Sequence, residues 1–219
     1  MLILVLDAST PVVTVALASG GEVRAEISIS TRGASETLLP AVHATLNLAD
    51  EDLASMERLL VGVGPGTFTG IRIAAATARA LSSSTGAALS KNSTLAALAA
   101  PALSCHQDVL AVLDARRGQV FAQRFSAVGP TTEISCVQPQ DLSAERTPLV
   151  VGDGAVRYRD ALSSLGPIPP DDSPLHRVTA AGHVLSAELT PVSAEEVVPI
   201  YVREPDAEVR RDLNPWSRP

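Results

Sequence analysis

The segment with the clearest capacity for chemistry is Gly64-Pro65-Gly66-Thr67-Phe68-Thr69-Gly70. It follows an apolar run, Leu59 to Val63, and leads into an alanine-rich stretch, Ile71 to Leu81. A glycine-rich loop between a strand and a helix can cradle phosphate, because its amides point at the ligand from a helix N-terminus. The spacing here, G-x-G-x-x-x-G without a lysine before Ser or Thr, is neither a P-loop nor a dinucleotide fingerprint. The same residues suit a sharp strand-to-helix turn capped by Thr67 or Thr69, and spacing alone favours that turn. Metal and nucleophile signals are weaker. His43, His106, His176 and His183 form no H-x-x-x-H or H-E-x-x-H pair, and there is no G-x-S-x-G elbow. Cys105 and His106 are adjacent in sequence, which is rarely the geometry of a catalytic pair.

Two aspartates, Asp7 and Asp114, each end an apolar strand-like run, the place where an actin-like ATPase sets an aspartate near metal and phosphate. That chemistry needs a glycine or a small hydroxyl residue next, so that backbone can approach phosphate. Ser9 and Thr10 could serve after Asp7, as a degenerate phosphate loop. After Asp114 come Arg116 and Arg117 at a tight hairpin tip, which would crowd a nucleotide. Turn closure is the simpler reading of both aspartates, and the paired arginines suit an anion or a partner's acidic surface.

The elements that must position these residues follow from periodicity. Leu2 to Leu6, Val12 to Ala18 and Val23 to Ile29 are strands joined by short turns, an antiparallel meander. A helix opens at Ser35, its candidate N-cap, with Pro40 expected in the first turn. Its apolar residues Leu38, Leu39, Val42, Leu46 and Leu48 spread over more than one side, so it is buried in its own core or packs on a partner. A shorter helix is expected from a cap at Asp50, carrying Leu53 and Met56. Thr94 to Leu103 reads as a further helix. The second half starts over: strands at Val109 to Leu113 and Gln119 to Phe125, a third at Thr132 to Val137 and a fourth at Pro148 to Val151. Gly152-Asp153-Gly154 then leads into a helix to about Leu165, and a last helix covers Thr179 to Leu189. The pattern predicts a duplicated α/β unit, mixed sheets with flanking helices, as in the ribonuclease-H-like, actin-like (ASKHA) fold. The expected units are 1–104, a degenerate copy at 105–203, and a polar tail at 204–219 that contains Trp216, the only tryptophan.

Composition bounds the function. The 219 residues are 46% hydrophobic and 19% charged, ordinary for a globular chain. The net charge of −7 argues against a protein that grips nucleic acid on its own. No apolar stretch approaches the ~18 residues of a membrane helix, and two cysteines suit a reducing compartment, so a cytoplasmic location is expected.

Taken in order, these segments resemble the bacterial TsaB family. The resemblance rests on Leu6-Asp7-Ala8-Ser9-Thr10, Ser35-Glu36-Thr37-Leu38-Leu39-Pro40 and, most strongly, Gly64 through Gly70 with Ile71-Arg72. It continues through Asp114-Ala115-Arg116-Arg117-Gly118-Gln119-Val120-Phe121, Gly152-Asp153-Gly154 and Pro199-Ile200-Tyr201-Val202-Arg203. The resemblance implies a non-catalytic subunit that pairs with the catalytic subunit TsaD through N-terminal helices and recruits the small ATPase TsaE. Threonylcarbamoyl would pass from threonylcarbamoyl-AMP to an adenosine beside the tRNA anticodon, with TsaD holding the metal. This chain would need no cofactor, and it would meet tRNA indirectly through the complex. Carried over by position, Leu38, Leu39, Val42 and Leu46 face TsaD, with Met56 beside them, and Gly64 to Gly70 with Arg72 belong to the composite surface. Many relatives have a histidine where this chain has Ala34, so no histidine role transfers there. Two other readings stay open: a glycoprotease-like or nucleotide-hydrolysing enzyme of the same fold group, and a homodimeric binding protein using the same helix pair on itself.

Overall fold

The computed structural model describes residues 1–202 apart from Arg32 and Glu145; Arg203 and the tail with Trp216 lie outside the described residues. The first sheet is built from β1 (Leu2–Asp7), β2 (Val12–Ser19), β3 (Glu22–Ser30), β4 (Arg58–Gly62) and β5 (Ala88–Asn92), in the order β3-β2-β1-β4-β5. The first three strands are antiparallel, as the alternation predicts, while β4 and β5 run parallel to β1. The second sheet repeats the plan with β6 (Asp108–Arg116), β7 (Gln119–Ser126), β8 (Gly129–Pro130), β9 (Ser135–Val137) and β10 (Leu149–Val151). Here β6 and β7 form the antiparallel hairpin, and β10 is parallel to β6 as β4 is to β1. The duplicated actin-like, ribonuclease-H-like architecture expected from the pattern is present.

Among the described residues six α-helices cover these sheets: α1 (Ala34–Ala49), α2 (Phe68–Thr85), α3 (Thr94–Leu103), α4 (Asp153–Arg157), α5 (Arg159–Leu162) and α6 (Ala180–Ser186). The strand period of two sends alternate residues to opposite faces of each sheet. Leu4, Leu6, Val15, Leu17, Leu59 and Val61 pack against α1 and α2, whereas Ile3, Val5, Ala16 and Leu60 pack against α6. In the second sheet, Val109, Ala111, Leu113, Phe121 and Val151 face α3, and Leu110, Val112, Val120 and Val150 face α4 and α5. Because α3 and α6 pack on each other, the layers run α1/α2, sheet, α6/α3, sheet, α4/α5.

Several elements differ from the sequence expectation. Gly33 rather than Ser35 is the N-cap of α1, and Pro40 sits inside the helix beyond its first turn. Pro40 denies the Glu36 carbonyl its helical donor, which is tolerable because both residues are exposed to solvent. Asp50 caps the other end of α1 in the left-handed region, and the helix expected after it is a single 3-10 turn, Leu53–Ser55. Thr132 to Val137 contributes only the three residues of β9. The helix expected from Ala155 to Leu165 starts at Asp153 and breaks at Tyr158 into α4 and α5. The last helix is shorter than expected, and β5 was not anticipated.

After α6 the chain returns to the first sheet as a strap. The N–H of Val192 donates to the Leu89 carbonyl at 2.9 Å, and Ser90 Oγ donates to the Thr190 carbonyl at 2.9 Å. Arg79 donates to the Val197 carbonyl, and the Ile200 N–H donates to the Val63 carbonyl at 2.8 Å. Val197 is fully buried in the core beneath α1 and α2. Val197→Asp places an unpaired carboxylate in that core and should destabilise the fold by about 3 kcal/mol. The urea midpoint reads this; an unchanged midpoint would mean that the strap lies outside the cooperative core.

Candidate functional site

The turn that follows β1 organises the site. Asp7 Oδ1 accepts from the Ser9 N–H at 2.8 Å and from Ser9 Oγ at 2.6 Å, an Asx-type turn. The turn's backbone then receives the starts of both outer helices. The Thr67 N–H donates to the Ser9 carbonyl at 2.7 Å just before α2, and the Thr31 N–H donates to the Pro11 carbonyl at 2.9 Å just before α1. The two helices therefore leave from the same edge of the sheet, α1 over β2 and β3, α2 over β4 and β1.

The glycines of the Gly64–Gly70 loop are explained by this packing. A Cβ at Gly66 would stand 2.1 Å from the Ser9 carbonyl oxygen, and one at Gly70 would stand 1.8 Å from that of Ala8. Only glycine allows so close a backbone approach. The loop is the strand-to-helix turn that its spacing favours, and the backbone filling it is the chain's own. Thr67 occupies the N-cap position, but its hydroxyl reaches the Ala8 carbonyl at 3.4 Å instead of capping the helix. Thr69 lies within the first turn of α2, not at its cap.

Asp7 is 1% exposed. Its second oxygen, Oδ2, receives His183 Nε2 from α6 at 3.0 Å. Asn92 Nδ2, at the end of β5, stands 3.2 Å from His183 Nδ1 and 2.7 Å from Ser186 Oγ. An amide NH2 only donates, so Nδ1 accepts and the ring carries its proton on Nε2, aimed at Asp7. Both carboxylate oxygens of Asp7 are thus engaged inside the protein. Sequence reading missed His183 and Asn92, which are 91 residues apart and carry no local motif. His176 plays a similar tethering part, accepting from the Gly152 N–H at 3.1 Å while its Nε2 lies 3.2 Å from the Pro169 carbonyl.

The equivalent place in the second sheet is built differently. The Asp114 N–H donates to Asp153 Oδ1 at 3.0 Å. The Asp114 carboxylate accepts from the Arg116 N–H at 2.9 Å and pairs with the Arg116 and Arg157 side chains at 3.2 and 3.6 Å. Arg116 and Arg117 both have positive φ, 65° and 54°, as the tight hairpin tip demands. Burial, joined by the neighbouring Asp114 charge, holds the Asp153 carboxyl above its ordinary range, opposed by the N–H groups of Asp114 and Gly154.

The helix residues expected to face a partner divide into two sets. Leu38, Val42 and Leu46 are buried against this chain's own sheet, and Met56 is buried in the same core. That corrects their expected placement, because β2 and β3 already cover this stripe. Leu39 is 47% exposed and Leu48 is 71% exposed. Nine positions at about 100° per residue put these two on opposite flanks of the buried stripe. Phe68, at the start of α2, is 49% exposed. Arg72, one turn later, has its guanidinium carbon 3.6 Å from the Phe68 ring centre and donates from Nε to the Tyr201 hydroxyl at 2.6 Å. The structure thus brings Phe68, Arg72 and Tyr201 together, while Asp114, Arg116 and Arg117 stand on the other sheet.

Two measurements check this geometry. His183→Ala leaves the Asp7 carboxylate buried with one oxygen unpaired and should destabilise the fold by about 3 kcal/mol. A melting temperature equal to that of the parent would show the clamp to be energetically idle. For Asp153, a raised folded pKa means that the folded state binds the proton more tightly than the unfolded state. The penalty is absent below the ordinary carboxylate range and is fully expressed above the raised pKa, so stability falls as pH rises between them. Asp153→Asn keeps an acceptor for the Asp114 N–H and should remove that fall, matching or exceeding the parent at neutral pH. Urea midpoints between about pH 4 and 7 measure it, and a variant that is less stable at neutral pH would contradict the sign.

Comparison with known proteins agrees with this architecture. Residues 23–154 match the family model described as TsaD: tRNA N6-adenosine threonylcarbamoyltransferase. The chain is 28% identical over 221 residues to the tRNA threonylcarbamoyladenosine biosynthesis protein TsaB of Escherichia coli, covering 93% of this chain and 95% of that protein. It is 35% identical over 122 residues to the Bacillus subtilis protein of the same name, covering 55% of this chain and 53% of the relative. Among solved structures, a Pseudomonas aeruginosa protein described as similar to the peptidase YeaZ superposes with a TM-score of 0.75 at 25% identity, over 92% of this chain and 99% of that one. The chain belongs to the family that the TsaD model describes and, by its relatives, to the TsaB proteins within it.

Proposed function

We propose that this TsaB-family chain serves tRNA threonylcarbamoyladenosine biosynthesis as the non-catalytic subunit that binds and supports TsaD, with the ATPase TsaE joining the assembly. TsaD would carry out the transfer of threonylcarbamoyl from threonylcarbamoyl-AMP to N6 of the adenosine beside the anticodon. The observation that carries this reading is the outward side of α1 and α2. Leu39, in the second turn of α1, and Phe68, the first residue of α2, stand about half exposed on two helices that start from one edge of the sheet. Exposed large apolar residues at the start of such a helix pair suit a protein contact. The buried state of Asp7 supports the same reading against a nucleotide-hydrolysing or glycoprotease-like enzyme. A carboxylate that is 1% exposed and occupied by Ser9 and His183 is poorly placed to hold a metal-bound phosphate.

Light scattering after size-exclusion chromatography, on this chain alone and mixed with TsaD of the same organism, tests the proposal. A new mixed complex is expected. Leu39→Glu should weaken it by about 2 kcal/mol, roughly thirtyfold in affinity, if Leu39 is a central anchor. Because Leu39 is exposed, the variant should keep the parent's melting temperature. Failure to bind TsaD even with TsaE and nucleotide present would overturn the proposal. Nucleotide binding by the isolated chain that Asp7→Ala abolishes would replace it with the enzyme reading.

A further inference from the structure

Some arginines of this acidic chain pair with carboxylates, while Arg58 and Arg79 are held instead by Ser90 Oγ and the Val197 carbonyl. Arg24, Arg124 and Arg159 each pair with one carboxylate, and Arg116 and Arg157 share Asp114. Arg72 has no carboxylate partner among the described residues, yet it is held in place. Its guanidinium carbon lies 3.6 Å from the centre of the Phe68 ring and 5.5 Å from that of Tyr201, and its Nε bonds the Tyr201 hydroxyl. The two rings are 5.7 Å apart and remain 49% and 48% exposed. Tyr201 reaches this place only because the strap, fixed by Arg79 and by the Val63 carbonyl, carries it back 129 residues after Arg72. With Nε committed to Tyr201, the two Nη groups form the fork still available to an incoming acceptor.

The local charge has a definite sign. The first turn of α2 carries no acidic residue, and the helix N-terminus adds its own partial positive charge. On a chain of net charge −7, this spot offers an acidic group local attraction. A guanidinium fork suits acceptors that offer two oxygens at once, namely carboxylate or phosphate. The half-exposed rings beside it favour a protein carboxylate with apolar neighbours over the polyanionic backbone of a nucleic acid.

We propose that Arg72, held by Phe68 and Tyr201, is the charged anchor of the partner contact and receives a carboxylate flanked by apolar side chains on TsaD. This rests on the subunit reading above and names the chemistry that the partner must present. Pre-ordering of the fork reduces the entropy lost on docking, so a small cluster can fix the register of a larger interface.

Affinity for TsaD, measured by titration calorimetry on the full chain, tests it. Arg72→Glu should weaken binding at least tenfold. Arg72→Lys keeps the charge but loses fork and stacking, and should weaken it several-fold. Tyr201→Phe removes only the hydroxyl that holds Nε and should fall between Arg72→Lys and the parent. Both positions are exposed, and melting temperatures within about a degree or two of the parent will confirm intact folding. If Arg72→Glu binds TsaD within twofold of the parent while Leu39→Glu does not, the anchor is wrong and the subunit reading stands. If the parent itself fails to bind TsaD, both fall. If Arg72→Glu binds TsaD normally but the assembled complex loses affinity for tRNA, Arg72 receives a phosphate and the carboxylate proposal is overturned.

Discussion

The buried carboxylate of Asp7 is the interaction on which the rest of this structure depends. One oxygen shapes the turn after β1, and the other is tied to His183 on α6, 176 residues away. A buried carboxylate without partners would be strongly unfavourable; Ser9 and His183 supply those partners, and Asn92 orients the imidazole. The consequence reaches outward through backbone rather than side chains. The turn held by Asp7 offers the Ser9 carbonyl to the start of α2, and the Pro11 carbonyl two residues on receives the lead into α1. Placement of the two outer helices is thus coupled to a polar contact on the sheet's opposite face.

The duplicated unit shows what happens when the same position is left more open. Asp114 lies near the end of β6 as Asp7 ends β1, but its carboxylate meets arginines at the rim instead of a buried imidazole. Asp153 is pressed against it with burial raising its pKa. Two neighbouring carboxylates in one unit, against one sealed carboxylate in the other, leave the halves alike in topology and unlike in electrostatics. In the first half the sealed carboxylate sits beneath the turn that anchors α1 and α2.

How far the sequence reveals this depends on the range of the interaction. Alternation along β2 and β3, the apolar run of β1 and the glycine turn before α2 are local patterns, and each element stands where its pattern puts it. The Ala88–Asn92 strand is hard to read from sequence because its Leu-Ser-Lys-Asn stretch is largely polar; β4 pairs along one of its edges and the strap bridges the other at Leu89. The place of Pro40 inside α1 and the break at Tyr158 depend on what each helix packs against, which periodicity does not report. The site divides in the same way. The loop Gly64 to Gly70 is legible as a turn, but the reason for its glycines, the Ala8 and Ser9 carbonyls, comes from another strand. Leu38, Val42 and Leu46 look like a partner face only until β2 and β3 are laid beneath them. His183 has no neighbour in sequence that hints at Asp7.

Packing also explains why the outward surface is assembled from distant pieces. Leu39 remains outside because the buried stripe of α1 is only as wide as the two strands beneath it. Phe68 remains outside because Gly66 and Gly70 draw the loop tightly onto the Ala8–Ser9 backbone, which turns the first residue of α2 away from the sheet. Tyr201 arrives on a strap whose Val197 is itself part of the core. Each exposed group therefore owes its position to a buried one nearby: Leu39 to Leu38 and Val42, Phe68 to the glycine contacts, and Tyr201 to Val197. A surface built this way is stiff before any partner arrives, and stiffness in the free subunit lowers the entropic penalty of association.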